Sequence, residues 1–275
     1  MRARKVSVAP DPASVLRREA IVAALRSRAG FTIEVVDTVD STSRELSRRA
    51  LQSDIQRHVL AAETQTTGHG RRGRPWTSIA GGSLTFSLGW RFEHGGDHLS
   101  GLTLAVGLAV ARALDDRGFA GIELKWPNDL VHRRAKLGGI LVELAGEGRG
   151  PSLAIIGVGL NVHLPAAARG GIDQPVTDLA AVSPRRLIDR NALLARILDE
   201  LAKILDEFAA SGFGPLRTAW QRRHALQRRP VQMTLPDGSS ARGKVVGVDS
   251  QGALLLESGG HRLRFVSGEV SLVRG

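Results

Sequence analysis

The pattern of apolar residues changes near residue 228, and this change constrains the fold more than any other feature. Before it, strand-like runs such as FTIEVVDTV (31–39) are mixed with runs of helical spacing such as residues 189–210. After it, short strand-like runs are separated by PDG, DSQG and SGG turns. Strands bounded by such turns predict a small all-β module of about five strands. We therefore place a domain boundary near Gln227.

Three parts follow from this boundary. They are a leader with one helix (1–30), a larger domain (31–227) and a small β-barrel (228–275). In the larger domain the predicted strands are 31–39, 58–64, 83–92, 122–126, 136–145 and 153–163. The predicted helices are 13–29, one that begins at a Thr42–Glu45 capping box, 99–117 and 189–210. Strands and helices do not alternate strictly, so an α+β fold with a central mixed sheet and flanking helices is expected.

Composition excludes several kinds of site and location. The chain has no cysteine, which rules out disulfides, zinc–thiolate sites and a cysteine nucleophile. No run of about 18 apolar residues is present, so no transmembrane helix is expected. The basic N-terminus lacks the apolar block of a secretory signal. We expect a soluble, cytoplasmic protein without a membrane partner.

The formal net charge of +11 raises the question of nucleic-acid binding. Residues 1–30 carry seven basic and two acidic side chains, and residues 222–275 carry nine and four. The 191 residues between them are therefore nearly neutral. The excess charge lies at the two ends, where solvated surface charge is the favoured interpretation and an acidic partner or nucleic acid is the alternative.

The loop 68–74, Gly-His-Gly-Arg-Arg-Gly-Arg, is the segment most suggestive of a ligand. Its glycines allow backbone N–H groups to approach an anion, and its arginines suit carboxylates and phosphates. The pattern matches neither a Walker A loop nor a dinucleotide-binding glycine motif. A solvated basic turn remains the alternative on composition alone.

Three further segments carry candidate site residues. Lys125-Trp126-Pro127-Asn128-Asp129 ends a strand in a turn that presents an amide and a carboxylate. Lys136 precedes Gly138, Gly139 and a buried strand, and Gly157-Val158-Gly159-Leu160-Asn161 places two glycines inside an apolar strand. Glycine within a strand often marks close approach of a ligand or another backbone. Taken singly, each segment also fits an ordinary turn, a surface lysine or tight packing.

Together, in order and spacing, these segments resemble the catalytic domain of biotin–protein ligases. The family shows a Ser-Thr-Asn turn, a Gly-Arg-Gly-Arg-Arg-Gly loop followed by tryptophan, Lys-Trp-Pro-Asn-Asp, Lys-x-x-Gly-Ile and Gly-x-Gly-x-Asn. The resemblance covers roughly residues 31–275, which includes the C-terminal module as an SH3-like barrel. It implies biotin and ATP as substrates, Mg²⁺ as a cofactor, and a biotin carboxyl carrier protein of acetyl-CoA carboxylase or a related carboxylase as partner.

The resemblance also implies residue roles. Lys136, Arg71 and Asp129 are the expected catalytic residues, and Asp129 is the expected Mg²⁺ ligand. The expected biotin and adenylate contacts are Ser41, Thr42, Ser43, Gln65, Gly68, His69, Gly70, Arg71, Trp76, Lys136, Gly138, Gly157, Gly159 and Asn161. Trp76 is expected near adenine or closing the loop, with an ordinary core position as the alternative. Two residues depart from the family pattern: His69 replaces an arginine and Ser43 replaces an asparagine, which puts biotin affinity in question.

Three alternatives stay open at this point. Lipoate ligases share the Lys-x-x-Gly portion, whereas octanoyl transferases of the same superfamily need a cysteine that this chain lacks. Some biotin ligases carry an N-terminal helix-turn-helix, but about 30 residues precede the first strand here, so no sequence-specific DNA binding is expected. A binding module without catalysis is the third. No residue decides between a monomer and a homodimer.

Overall fold

The computed structural model describes residues 15–145, 150–170, 174–184 and 187–273. Its helices are α1 (Arg18–Ala24), α2 (Thr42–Ala50), α3 (Leu102–Asp116), α4 (Ala166–Arg169), α5 (Leu179–Val182), α6 (Arg190–Ser211) and α7 (Arg217–Gln221). Short 3₁₀ turns cover Arg71–Gly73, Gly96–Leu99 and Gly214–Leu216. Residues 13 and 14 of the predicted first helix lie outside the described residues.

The strands form two sheets. The larger sheet contains β1 (Thr32–Val39), β2 (His58–Gln65), β3 (Ser83–Phe92), β4 (Glu123–Lys125), β5 (Asp129–His132), β6 (Ala135–Ala145) and β7 (Ser152–Asn161). The smaller sheet contains β8 (Pro230–Thr234), β9 (Ser240–Val248), β10 (Leu254–Ser258), β11 (His261–Phe265) and β12 (Glu269–Leu272).

The larger sheet is mixed, with strand order β1-β2-β3-β7-β6-β5-β4. Strands β1 and β2 run parallel, and the remaining neighbours run antiparallel. Strand β7 is buried at every position, in agreement with its continuous apolar sequence and its central place. The predicted α+β class with a central mixed sheet is confirmed.

The two faces of this sheet are filled differently. Along β7, Ala154 and Ile156 join the main core under α3 and α6, whereas Leu153 and Ile155 join a smaller cluster with Leu46 of α2. This alternation is the two-residue period of a strand. Toward its end, β7 presents glycines and Asn161 on the α2 face instead of large apolar side chains. An opening on that face is the consequence.

The first helix is shorter than predicted. It covers Arg18–Ala24, and Leu25 is already extended. The Asp199 carboxylate of α6 accepts hydrogen bonds from the backbone N–H groups of Arg26 and Ser27, at 3.1 and 2.8 Å. These bonds satisfy the two backbone N–H groups without helical hydrogen bonds. The helix therefore ends at Ala24, although apolar residues continue at helical spacing beyond it.

The start of α2 also differs from the prediction. Ser41, not Thr42, is the N-cap, and its side chain accepts from the backbone N–H of Arg44. Glu45 pairs instead with Arg48 and Arg49 along the helix. Thr42 is thereby free to turn its hydroxyl toward the sheet.

A buried ion pair ties the leader, β2 and α6 together. Arg190 is fully buried and donates to the Glu63 carboxylate at 2.7 and 2.9 Å. Glu63 also accepts from the backbone N–H groups of Leu16 and Gly81. Burial raises the pKa of Glu63, but these donors outweigh it and leave the pKa below its usual value.

The smaller sheet, with strand order β11-β10-β9-β8-β12, is antiparallel and forms the C-terminal β-domain. Backbone bonds between Leu124 and the segment 223–225 hold the chain that leads into this domain against β4. The indole Nε1 of Trp126 donates to the carbonyl oxygen of Gly252 at 3.0 Å. The second domain is therefore docked beside the end of β4.

Within the residues that the structure describes, none of the helices has the length and apolar character needed to cross a bilayer.

Candidate active site

A cavity of about 710 Å³ opens on the α2 face of the larger sheet. Residues predicted for the site that line it are Ser41, Thr42, Ser43, Gln65, His69, Gly70, Arg71, Trp76, Asp129, Lys136, Gly157, Gly159 and Asn161. Gly68 and Gly138 do not line it. A Cβ at Gly68 would lie 2.8 Å from the Trp76 carbonyl, and one at Gly138 would lie 2.6 Å from the Gly159 carbonyl. Both glycines therefore permit close backbone packing behind the wall.

One end of the cavity, the hydroxyl end, is built from uncharged hydrogen-bonding groups. Gln65 Oε1 accepts from the backbone N–H of Thr42 at 2.8 Å, and the Thr42 hydroxyl lies 2.8 Å from that of Ser87. The Ser43 hydroxyl lies 2.9 Å from the same Ser87 oxygen. Such a group of hydroxyls and an amide can bind an uncharged polar ligand group that both donates and accepts. Ser87 was missed, because one serine in an apolar strand gives no sequence signal.

The glycines of β7 form the floor of the cavity. A Cβ at Gly157 would lie 2.7 Å from the Ser43 hydroxyl, and one at Gly159 would lie 2.5 Å from the Trp76 ring. The Trp76 side chain is half-buried against the cavity, so the alternative of an ordinary core tryptophan was wrong. Its indole Nε1 is buried and, within the described part of the chain, has no hydrogen-bond partner. A buried donor without a partner is costly, which favours a ligand acceptor at this position.

The other end of the cavity, the ionic end, is rich in charge. The Lys136 ammonium lies 2.7 Å from Asp129 Oδ1, and both side chains are mostly buried. Arg71 also lines this end. Burial, and then the neighbouring Arg72, lower the pKa of Arg71, whose guanidinium nevertheless stays charged. An anionic group that enters here would meet a lysine and an arginine in a partly dehydrated site.

The backbone of Lys136 is held from the side by a loop. Its N–H donates to the Pro175 carbonyl at 2.8 Å, and its carbonyl accepts from Thr177 N–H at 2.9 Å. Asn161 Nδ2 donates to the Thr177 carbonyl at 3.0 Å. Asn161 thus holds the segment that fixes Lys136, and it also lines the cavity. The contribution of segment 175–177 was not predicted.

His69 belongs to the loop 68–74, the ligand loop, and lies where this loop meets β6. Its ring nitrogens lie 3.4 Å from the Ser41 hydroxyl and 3.7 Å from Glu143 Oε1. The side chain is 13% exposed. An arginine at this position would carry its charge at every pH, whereas His69 pairs ionically with Glu143 only when protonated.

The C-terminal β-domain supplies part of the wall, through Thr234, Glu269, Val270 and Ser271. Glu269 Oε1 lies 3.1 Å from Arg72 Nη1, and Glu269 Oε2 accepts from Arg74 at 2.6 Å. Burial raises the pKa of Glu269, but the arginines outweigh it and hold the pKa below its usual value. This contribution could not be predicted from the sequence, since nothing in the alternating strands of the domain shows which residues face another domain.

The comparisons with known proteins agree with this geometry. Residues 35–161 match the Biotin/lipoate A/B protein ligase family, and residues 229–273 match the Biotin protein ligase C terminal domain. The chain is 34% identical over 265 residues to the bifunctional ligase/repressor BirA of Escherichia coli, covering 96% of this chain and 80% of BirA. It is 35% identical over 251 residues to a biotin–[acetyl-CoA-carboxylase] ligase of Mycobacterium tuberculosis, covering 88% and 89%.

A solved structure, the biotin protein ligase of Aquifex aeolicus in complex with biotin and ATP, superposes with a TM-score of 0.75. It is 27% identical and covers 89% of this chain and 99% of that one. Fold and pocket thus define a ligase-type domain joined to a small β-domain. The chain belongs to the Biotin/lipoate A/B protein ligase family, among its biotin protein ligases.

Proposed function

We propose that the protein adenylates biotin with ATP and then transfers the biotinyl group to a lysine of a carrier protein. The main support is a single cavity with two different ends. Its hydroxyl end suits an uncharged polar ring system, and its ionic end suits a carboxylate beside a phosphate. Relatives named biotin–[acetyl-CoA-carboxylase] ligase support a carboxylase subunit as acceptor. More specifically, we propose that the acceptor is the biotin carboxyl carrier protein of acetyl-CoA carboxylase or of a related carboxylase.

In the first step a biotin carboxylate oxygen attacks the α-phosphorus of ATP, and the bond to pyrophosphate breaks. The ureido group of biotin donates and accepts hydrogen bonds, which matches Ser41, Thr42 and Gln65 at the hydroxyl end. Lys136 and Arg71 then lie at the end where negative charge accumulates. Reactions at phosphorus depend mainly on positioning and charge stabilisation, which preorganised cationic groups supply.

In the second step the amine of a carrier lysine attacks the carbonyl carbon of the biotinyl adenylate, and AMP leaves. The amine must be neutral to attack. Asp129 lies at the ionic end and is paired with Lys136. A carboxylate at this position can orient an incoming ammonium group before it loses its proton.

Mg²⁺ belongs to the proposal as well. Magnesium in nucleotide sites is commonly held by one or two carboxylates together with substrate phosphates and water. Asp129 supplies such an oxygen donor on the cavity wall, so the donor set fits. No cluster of three or more histidine, cysteine or acidic residues suited to a metal occurs among the described residues, so ATP itself would complete the shell. When bound, the ion would neutralise phosphate charge.

Lipoate is the rival substrate, because the family as a whole includes lipoate ligases. The C-terminal match to biotin protein ligases and the biotin-specific names of the curated relatives favour biotin. An octanoyl-transferase reaction through a thioester is ruled out for this chain, because the sequence contains no cysteine.

Lys136→Ala tests the assignment of the ionic end. Because the backbone of Lys136 is anchored by Pro175 and Thr177, the variant should fold normally. Removing one preorganised charge should slow biotin-dependent pyrophosphate release by about 10²–10³-fold. Lys244→Ala is the matched control, since Lys244 is exposed on β9 and does not line the cavity. Near-normal pyrophosphate release by Lys136→Ala would remove this lysine from the mechanism.

A further inference from the structure

Trp126 lies between the cavity and the C-terminal β-domain. It lines the cavity and is only 2% exposed. Its indole Nε1 donates to the carbonyl oxygen of Gly252, in the turn that joins β9 to β10, at 3.0 Å. One side chain thus connects the turn that presents Asp129 to the other domain.

The acceptor of this bond is held in place by its own turn. Asp249 Oδ1 accepts from the backbone N–H groups of Gln251 and Ala253, both at 2.9 Å. Gly252 has a φ of +78°, and a Cβ there would lie 2.8 Å from the Cα of Gly101. The turn is therefore pressed against the larger domain without room for a side chain. Because the Gly252 carbonyl is held in place, the hydrogen bond to it also fixes the Trp126 side chain.

The same β-domain forms part of the wall of the ionic end. Glu269, Val270 and Ser271 belong to β12, which pairs with β8 and through it with β9. Because the strands are joined in one sheet, anchoring the β9–β10 turn also sets the position of β12. Glu269 in turn holds Arg72 and Arg74 of the ligand loop. The groups of the hydroxyl end, by contrast, all come from the larger domain.

We propose that Trp126 is a positioning residue for the nucleotide half of the reaction. Its bond to Gly252 keeps β12, and hence Glu269 and the ligand-loop arginines, at the ionic end of the cavity. The ring system of biotin lies at the hydroxyl end, and its carboxylate meets Lys136 and Arg71, which also belong to the larger domain, so biotin binding does not depend on this contact. The proposal rests on the proposed function, since it assigns the phosphates of ATP to the ionic end.

Trp126→Phe is the direct test, because phenylalanine keeps an aromatic ring and removes only the indole N–H and part of the ring. Loss of one hydrogen bond to a buried carbonyl should raise the KM for ATP about fivefold or more. The Kd for biotin, measured by calorimetry without ATP, and the kcat for pyrophosphate release should stay within about twofold of wild type. This split separates positioning of the nucleotide from general damage to the fold.

Two further variants complete the design. Trp220→Phe is the matched control: Trp220 is buried at the same domain junction, beside His224, but does not line the cavity. It should leave the KM for ATP unchanged. Asp249→Ala loosens the acceptor turn from the β-domain side, away from the cavity, and should raise the KM for ATP in the same direction. This variant decides the question if Trp126→Phe does not fold.

An unchanged KM for ATP in Trp126→Phe or, failing its folding, in Asp249→Ala would overturn the proposal. So would equal losses in biotin affinity, kcat and KM, or an equal effect in Trp220→Phe. A wild-type protein without any biotin-dependent pyrophosphate release would instead overturn the proposed function, so the two failures are distinguishable.

Discussion

His224 makes the junction between the two domains sensitive to acid. The ring is 5% exposed and lies 4.7 Å from the Trp220 ring, centroid to centroid. Its Nδ1 lies 3.4 Å from Gln227 Oε1, and its Nε2 is buried without a hydrogen-bond partner among the described residues. Burial lowers the pKa of His224 from 6.5 to about 4, and the contact with Gln227 opposes this only weakly.

The sign of the effect follows from the lowered pKa. Between pH 6.5 and 4 the unfolded chain binds a proton at His224 and the folded chain does not. The stabilisation is therefore full above pH 6.5 and is lost as the pH falls through 4. From pH 7 to pH 5 the loss amounts to about 2 kcal/mol, and it approaches about 3 kcal/mol at lower pH.

The assay is urea denaturation of the wild type and of His224→Phe at pH 7 and pH 5. Phenylalanine keeps a ring against Trp220 and removes a buried polar atom, so the variant should be at least as stable at pH 7. Its advantage over the wild type should grow by about 2 kcal/mol at pH 5. His261→Phe, at an exposed position of the C-terminal β-domain, should keep the wild-type pH dependence. Parallel pH dependence in His224→Phe and wild type would show that His224 does not cause the loss of stability in acid.

Three other contacts give testable predictions. Glu63→Gln leaves the fully buried Arg190 charge without its carboxylate and should lower the free energy of unfolding by about 3–5 kcal/mol, measured by urea denaturation; a loss under 1 kcal/mol contradicts it. Gly159→Ala puts a methyl group against the Trp76 ring and should weaken binding of a biotinyl-adenylate analogue about tenfold in calorimetry; an unchanged affinity contradicts it. Glu269→Gln should speed proteolysis of the ligand loop about threefold when no ligand is bound. Biotin should slow this cleavage in both the wild type and the variant. Equal cleavage with and without biotin would show that biotin does not order the loop.

The fold was largely predictable, because its signals are local. The long apolar run of β7 and the apolar face of α6 give buried elements whatever their partners are. The errors arose where distant groups compete with local preference. The first helix ends at Ala24 because the Asp199 carboxylate, far along the chain, binds the next N–H groups.

The site was predictable as a set of segments but not as a geometry. The motif residues Lys136, Arg71 and Asp129 line one cavity, and their grouping was expected only from the resemblance to biotin–protein ligases. The contacts of Ser87 and Glu269 could not be inferred, because each lies in a strand of ordinary composition and depends on which face or domain it meets. Only the three-dimensional arrangement shows that the β-domain completes the ionic end.

The adenylation of biotin is tested most directly by pyrophosphate release from ATP and Mg²⁺ with biotin, lipoate and octanoate supplied separately. We expect release with biotin alone, at a rate that Lys136→Ala lowers and Lys244→Ala does not. Release with lipoate or octanoate in place of biotin would contradict the substrate and direct attention to His69 and Ser43 as altered specificity residues. Absence of release with all three acids would contradict the adenylation mechanism itself.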